Sequence, residues 1–513
     1  MRTWGPLTAV SLGTFMLLLD VTIVIVALPD MARALDASLS DLQWVIDGYA
    51  LALAALLLGV GAAADVLGRR RLNVIGTALF AVASLGCGLA SDADLLVAAR
   101  AVQGLGAAAM LATTLPLLGA AYQGRDRSAA LGVWGAVSGA SAALGPIVGG
   151  LLTEGPGWRW IFFVNLPVSV ASIWLTLRVV PESRGPAGRR VDWAGTAAFA
   201  GFAGAGTYGV LRGGADGWAS AAAVTSFAVS ALALLCFVLA ERRVAQPLLD
   251  LRLLRKPAFT GVLIGAIGYN GAAFGVVPYL SIWLQTVLGM SPVRGSLVLL
   301  PLAGTAFVVA LVAGRLLHGV APRVVIGGGL LLIGAGGLCL AVLDAGSSWG
   351  ALAPGLTLTG IGAGLVSPGL AGAALAAVPP ANAGMAGGAV NTFRQLGYAV
   401  GVALFGTVLT ARMQDSIGRE AAHTVAGGGA SALHGTVPEH AVREAFASGL
   451  NGASLAAGVA GLVSGVLVLV MVRGTGVAAS GAPDDATSAA GSSSASPASS
   501  ATTSSATASP TAR

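Results

Sequence analysis

Apolar stretches of about 17 to 28 residues follow one another along the chain, separated by short polar breaks. As a helix, each is long enough to cross a hydrocarbon layer of roughly 30 Å. Fourteen fall at residues 7–29, 42–64, 72–90, 95–120, 129–152, 161–177, 194–211, 219–240, 258–285, 293–314, 324–343, 351–377, 385–410 and 453–472. The pattern predicts an all-α polytopic membrane protein. An even number of spans returns both termini to one side. The first stretch is too long for a secretory leader and carries an internal Asp20. The polar segment 411–452 reads as a long outer loop. From about Thr475 the chain turns to Ala, Ser, Thr, Gly and Pro. Such a composition buries too little surface to offset its ordering entropy, so 473–513 is expected to be a disordered cytoplasmic tail.

Composition agrees with solvation by lipid. Of 513 residues only 10% are charged and 56% are hydrophobic, against roughly 25% charged in soluble domains. Basic residues number 28, but the single lysine is Lys256, followed by Pro257. A Walker A loop needs Gly-Lys-Ser/Thr, so the chain has no P-loop of its own. The net charge of +6 does not point to nucleic acid, because the arginines are spread in short groups between apolar runs. With the N-terminus inside, 19 of the 28 basic residues fall on the cytoplasmic side, among them Arg2, Arg69, Arg70, Arg71, Arg189, Arg190, Arg242 and Arg243. Cys87, Cys236 and Cys339 each sit alone in an apolar run and read as filler. His423, His434 and His440 share the polar segment near the C-terminus, which reads as a solvated loop. No metal cluster, nucleophile triad or phosphate loop is present, which argues against an enzyme.

Charges inside spans are costly and therefore candidates for function. Asp20 lies about nine residues, roughly 13 Å, from the outer end of its span, and Arg100 about 8 to 9 Å below its own. Asp47 sits at a similar depth, so three ionisable groups could share the outer half of one bundle. A carboxylate that alternates between arginine and a proton would couple proton movement to conformation; a static pair is the plainer reading. Asp47 could also sit near the headgroups and bond to helix ends. Arg394 has no acidic partner at its depth, and either substrate or backbone carbonyls would serve it. Gly139, Gly145, Pro146, Gly149 and Gly150 form one small-residue surface with a kink-prone proline. Gly61, Asp65 and Arg70 recur in spacing as Gly314, His318 and Arg323, as two duplicated halves would produce.

These residues carry a family resemblance. The run from Gly61 through Asp65, Gly68, Arg69 and Arg70 resembles the loop signature of the major facilitator superfamily. Arg100 with Gln103, Gly104 and Gly106 resembles its fourth-helix motif, and Gly139 to Gly150 its antiporter motif. Leu19-Asp20-Val21-Thr22 through Pro29 is similar to the first-helix motif of fourteen-helix drug:proton antiporters. Trp158 to Phe162, Asn165 to Pro167 and Arg394-Gln395 extend the resemblance over about 7–472. Trp44 to Tyr49 looks most like the antibiotic exporters of actinomycetes. Two positions depart from the family pattern: Ile25 replaces a usual asparagine, and Val66 stands where a basic residue is frequent.

The resemblance implies a six-helix bundle over 1–180, two inserted helices and a cytoplasmic linker over 181–257, a second six-helix bundle over 258–472, and a monomer. It implies that Asp65 and Arg69, with Gly61, Gly68 and Arg70, form a conformational latch. Asp20 and Arg100, with Asp47, would couple protons, and the Gly145-Pro146 kink would seal against leak. The implied activity is proton-driven export of antibiotics or other amphipathic small molecules from a bacterial cell, across its plasma membrane, with no cofactor beyond the proton gradient. An importer of metabolites or siderophores with the same fold, or a membrane sensor that carries nothing, are the alternatives. For substrate contact the candidates are Arg394, Gln395, Tyr269, Asn270, Tyr279 and Gln285.

Overall fold

A computed structural model describes residues 4–184, 191–244, 247–316, 320–378, 383–429 and 436–472. His318 and the segment 473–513 lie outside the described residues. Within them the chain is a succession of helices: α1 (Gly5–Leu35), α2 (Leu39–Leu67), α3 (Arg69–Gly88), α4 (Ala93–Ala121), α5 (Gly124–Glu154), α6 (Trp160–Val179), α7 (Trp193–Asp216), α8 (Ala221–Arg243), α9 (Pro257–Val287), α10 (Pro292–Leu316), α11 (Pro322–Leu340), α12 (Ala353–Ala376), α13 (Ala383–Ile417) and α14 (Glu439–Met471). Each apolar stretch in the sequence falls on one of these. Thirteen are long and apolar enough to cross a membrane; α7 is not among them.

The breaks between helices have local causes. Ser38 caps α2 and shares a reciprocal capping box with Asp41. Asp92, Asp192 and Ser220 cap α4, α7 and α8 through their side chains. Proline opens α9 and α11, where its missing N–H has no helical partner to lose. Gly68 separates α2 from α3 at φ +110°, a backbone region that a side chain would strain. The last turn of α9 widens to π geometry over Trp283–Val287.

Helices α1 to α6 pack among themselves, as do α9 to α14, and the two groups meet where α2 faces α13 and α5 faces α10. Helix α7 lies against α8 and also touches both α2 and α13, one from each group. Large apolar side chains such as Val82, Val170, Leu232 and Val463 point outward and are exposed. Only lipid solvates such a belt without penalty.

The segment 411–452 is not a long loop. Helix α13 runs on to Ile417, a short helix spans Arg419–Ala426, and α14 already begins at Glu439. The segment is too polar to read as a span, yet its apolar residues keep helical spacing. Ala422, Val425 and Ala426 are buried, as are Val442, Ala445, Phe446 and Leu450. Gly427 and Gly428 then pack on Leu39, Ala32 and Pro29, covering the α1–α2 connection. His423 is accordingly half-buried in the short helix, within hydrogen-bonding distance (3.3 Å) of Gln414, and not in a solvated loop.

Candidate functional site

Asp20 and Arg100 meet in the middle of the first helix group, and both are fully buried. Arg100 Nη1 donates to Asp20 Oδ2 at 2.5 Å and to Gln103 Oε1 at 2.6 Å, while its Nε donates to the Val45 carbonyl at 3.1 Å. The other carboxylate oxygen, Oδ1, accepts from Gln103 Nε2 at 3.0 Å and from Asn165 Nδ2 at 2.9 Å. Ser84 accepts from Gln103 at 2.7 Å, closing the network across α1, α2, α3, α4 and α6. The Tyr49 ring lies 4.3 Å from the guanidinium carbon and the Phe162 ring 5.9 Å. Each charge is thus balanced and hydrogen-bonded, the condition on which a buried ion pair persists. Protonating Asp20 would remove the charge that Arg100 faces, in a network whose contacts reach five helices. Ser84 escaped the sequence reading, although a serine inside the 72–90 run was the available signal.

Asp47 does not join this cluster. It is fully buried, and neither carboxylate oxygen has a hydrogen-bond partner among the described residues. One turn earlier on the same face of α2, Gln43 donates to Tyr279 Oη at 2.7 Å and approaches the Val402 carbonyl at 3.4 Å. Asp47 therefore faces the second helix group.

The loop signature folds back on its own helix group. Arg69 Nε donates to Asp65 Oδ1 at 2.9 Å. Glu182, which the sequence reading did not single out, accepts from the Arg70 and Arg71 amides at 3.0 and 3.1 Å. A Cβ on Gly68 would lie 2.9 Å from the Glu182 carboxylate, the free end of a flexible side chain that can shift, so it is the φ of +110° that calls for glycine here. Gly61 has room, with Ala112 nearest at 3.9 Å.

The α5 glycines allow two close approaches. A Cβ on Gly145 would collide with Thr22 of α1, and one on Gly149 would lie 2.9 Å from the Ile23 carbonyl. Gly139 and Gly150 face α10 instead, where a Cβ would come within 2.9 Å of Phe307 and of the Val293 backbone. Helix α5 continues through Pro146.

Of the substrate candidates, three come together: the Arg394 guanidinium lies 4.8 Å from the Tyr269 ring and its Nε is 3.4 Å from Asn270 Oδ1. Among the described residues neither a backbone carbonyl nor an acid pairs with it. Tyr279 is not grouped with them; its hydroxyl donates to the Val402 carbonyl at 2.5 Å beside Gln43. Gln285 donates to the Val26 carbonyl at 2.9 Å, tying α9 to α1. Gln395 is half-buried on α13. The hydrogen bonds that join the two groups through Gln43, Gln285 and Val293 all lie toward the face of the α1–α2 connection. Among the described residues no His, Cys, Asp and Glu side chains gather as a metal site would require.

The sequence profile of the Major Facilitator Superfamily matches residues 10–402. The multidrug resistance protein Stp of Mycobacterium tuberculosis is 37% identical over 79% of this chain and 75% of its own. The methylenomycin A resistance protein of Streptomyces coelicolor is 35% identical over 79% and 85%. The puromycin resistance protein pur8 of Streptomyces alboniger is 37% identical over 88% and 89%. Among solved structures, a bacterial homologue of the human lysosomal transporter Spinster superposes with a TM-score of 0.64 at 17% identity, covering 92% of this chain and 97% of that one. With its profile match, its relatives and this arrangement of helices all in agreement, the chain belongs to the major facilitator superfamily.

Proposed function

We propose that the protein is an efflux transporter that exports antibiotics or other amphipathic small molecules from a bacterial cell in exchange for protons, by alternating access between α1–α6 and α9–α14. It is a transporter and not an enzyme, set in the plasma membrane with both termini cytoplasmic. The observation that carries proton coupling is the Asp20–Arg100 pair: a buried, fully bonded charge pair whose members come from two helices and whose network reaches three more. A proton taken by Asp20 frees Arg100, and the network must re-form elsewhere; that is a two-state element of the kind coupling requires. The named relatives, antibiotic and multidrug resistance proteins, support drugs as the substrate class. Fourteen spans, with α7 and α8 as the inserted pair, a monomeric protein and no cofactor beyond the proton gradient complete the reading. Asp65 and Arg69 act as a latch near the α2–α3 turn, and the close α1–α5 contact limits leak.

The test is uptake of a panel of antibiotics and dyes into everted membrane vesicles from an efflux-deficient host. Accumulation that an inward-acid gradient drives and an uncoupler abolishes supports export. Accumulation in the opposite direction only, or none for any compound, overturns it.

A further inference from the structure

Helix α7 touches both helix groups, and a different group grips it at each end. Near its first turn, on the side of the α2–α3 turn, Thr196 fills the space above Gly59 of α2: a Cβ on Gly59 would lie 2.4 Å from Thr196 Oγ1. Near its last turn, on the side of the α1–α2 connection, Thr407 of α13 fills the space above Gly214, where a Cβ would lie 2.5 Å from Thr407 Cγ2. Threonine is stiff at χ1. Each hydroxyl is also bonded to its own helix, Thr196 to the Asp192 carbonyl at 2.7 Å and Thr407 to the Ala403 carbonyl at 3.0 Å. Neither knob can give way easily, so both contacts are interlocks. At the second end α7 also meets α2, where the Trp44 and Tyr208 rings lie tilted with centroids 6.1 Å apart, a looser contact.

About 27 Å of helix, at 1.5 Å per residue, separates Thr196 from Gly214. Between them stand Gly201, Gly204, Gly206 and Gly209. Gly206 and Gly209 make room for Ser230 and Phe227 of α8, which would lie 3.1 and 2.9 Å from an added Cβ. Gly201 has Ala233 at an ordinary 3.4 Å, and Gly204 has nothing within 4 Å. A glycine inside a helix costs about 1 kcal/mol against alanine, and packing does not call for these two. Their effect is a pliable middle between two gripped ends. For the two groups to rock, the ends of α2 and α13 near the α1–α2 connection must part, and Gln43 must leave Tyr279 and Val402. Helix α7 bridges that seam. We propose that α7 is a flexible tie between the groups: its first turns move with α2, its last turns move with α13, Trp44 separates from Tyr208, and the helix bends about Gly201 and Gly204. The tie limits how far α2 and α13 can part. The inference rests on the alternating-access reading and gives the inserted helix a role within it.

Disulfides test the two grips. The Cβ positions of residues 59 and 196 lie 3.3 Å apart and those of 214 and 407 3.0 Å apart, near the roughly 3.5–4.5 Å of a disulfide. All variants carry Cys236→Ser and Cys339→Ser, since only Cys87 of the three native thiols is buried. In Gly59→Cys/Thr196→Cys, in Gly214→Cys/Thr407→Cys and in the variant with all four, oxidation should leave more than half of the proton-driven vesicle uptake that the same variant shows when reduced. Joining Trp44→Cys to Tyr208→Cys with a short, reducible bifunctional thiol reagent should cut uptake at least tenfold, and reduction should restore it. Gly201→Ala/Gly204→Ala should keep its thermal unfolding midpoint and lower uptake at least threefold. Loss of uptake on oxidising either end, full uptake across the Trp44–Tyr208 bridge, or full uptake in the double alanine variant each overturn the tie. Where a cysteine pair does not fold, or where the wild type moves no substrate and export alone falls, spin labels at exposed positions decide. Between neutral and acid samples, labels at Asp216→Cys and Ser416→Cys should hold one distance, while labels at Asp216→Cys and Ser40→Cys should move apart. A change in the first pair, or none in the second, overturns the tie.

Discussion

Neutralising either member of the Asp20–Arg100 pair strands the other charge in a fully buried position. In Asp20→Asn the guanidinium keeps Gln103 Oε1, the Val45 carbonyl and the Tyr49 ring, but no counter-charge. Removing one partner of such a pair costs about 3–5 kcal/mol, much of it the price of the uncompensated ion. Arg100→Gln leaves Asp20 with the Gln103 and Asn165 amides and loses a comparable amount. The double variant Asp20→Asn/Arg100→Gln has no stranded charge, so its loss should be far smaller than the sum of the two. A coupling energy of about 3 kcal/mol, more than a hundredfold in the unfolding equilibrium, is expected where independent residues would add to within about 0.5 kcal/mol. Unfolding of the purified protein in mixed micelles measures it. Vesicle uptake should show that the double variant, though stable, has lost gradient-driven export. Additive destabilisation would refute the pair as an energetic unit, and a stable double variant that exports normally would refute its coupling role.

Gly149→Ala should cost about 1–3 kcal/mol through overpacking against the Ile23 carbonyl, whereas Gly204→Ala, with nothing within 4 Å of its Cβ, should be neutral or stabilise slightly; thermal unfolding distinguishes the two. Gly68→Ala must strain a φ of +110° and displace the Glu182 carboxylate, a cost of about 1–3 kcal/mol, and export should fall at unchanged membrane abundance. Burial, and then the nearby Arg419, hold the His423 imidazole below its ordinary range. A histidine depressed in the fold stabilises it fully above the unfolded value of about 6.5, and that stability is lost as pH falls toward the folded value. The protection factor of the short helix Arg419–Ala426 against hydrogen exchange, which corrects for the intrinsic pH dependence of amide exchange, should therefore fall on acidification below about 6.5, and His423→Gln should flatten the response.

Much of the fold was legible along the chain because a span needs only length and apolar content, and lipid punishes departures from both. The Asp20–Arg100 pairing was legible for a related reason: few charges lie inside spans, so depth alone nearly selects partners. The outer segment was misread because hydropathy averages over the amphipathic spacing of Ala422, Val425 and Ala426, which the tertiary contacts with the α1–α2 connection stabilise as a helix. Glu182 was missed because what it holds is backbone amide, which leaves no mark in side-chain pattern.

Asp47 marks the boundary between the two kinds of information. Sequence placed it in a span and at a depth similar to that of Arg100, and from that depth the two could be thought neighbours. Yet α2 is apolar around much of its circumference, so its composition does not tell which face meets α4 and which meets α13. The rotation of a helix about its own axis is decided by packing, here by Gln43 on Tyr279 and Val402 and by Leu58 on Gly388. That rotation turns Asp47 away from Arg100 and toward the second helix group, where neither of its oxygens has a hydrogen-bond partner among the described residues.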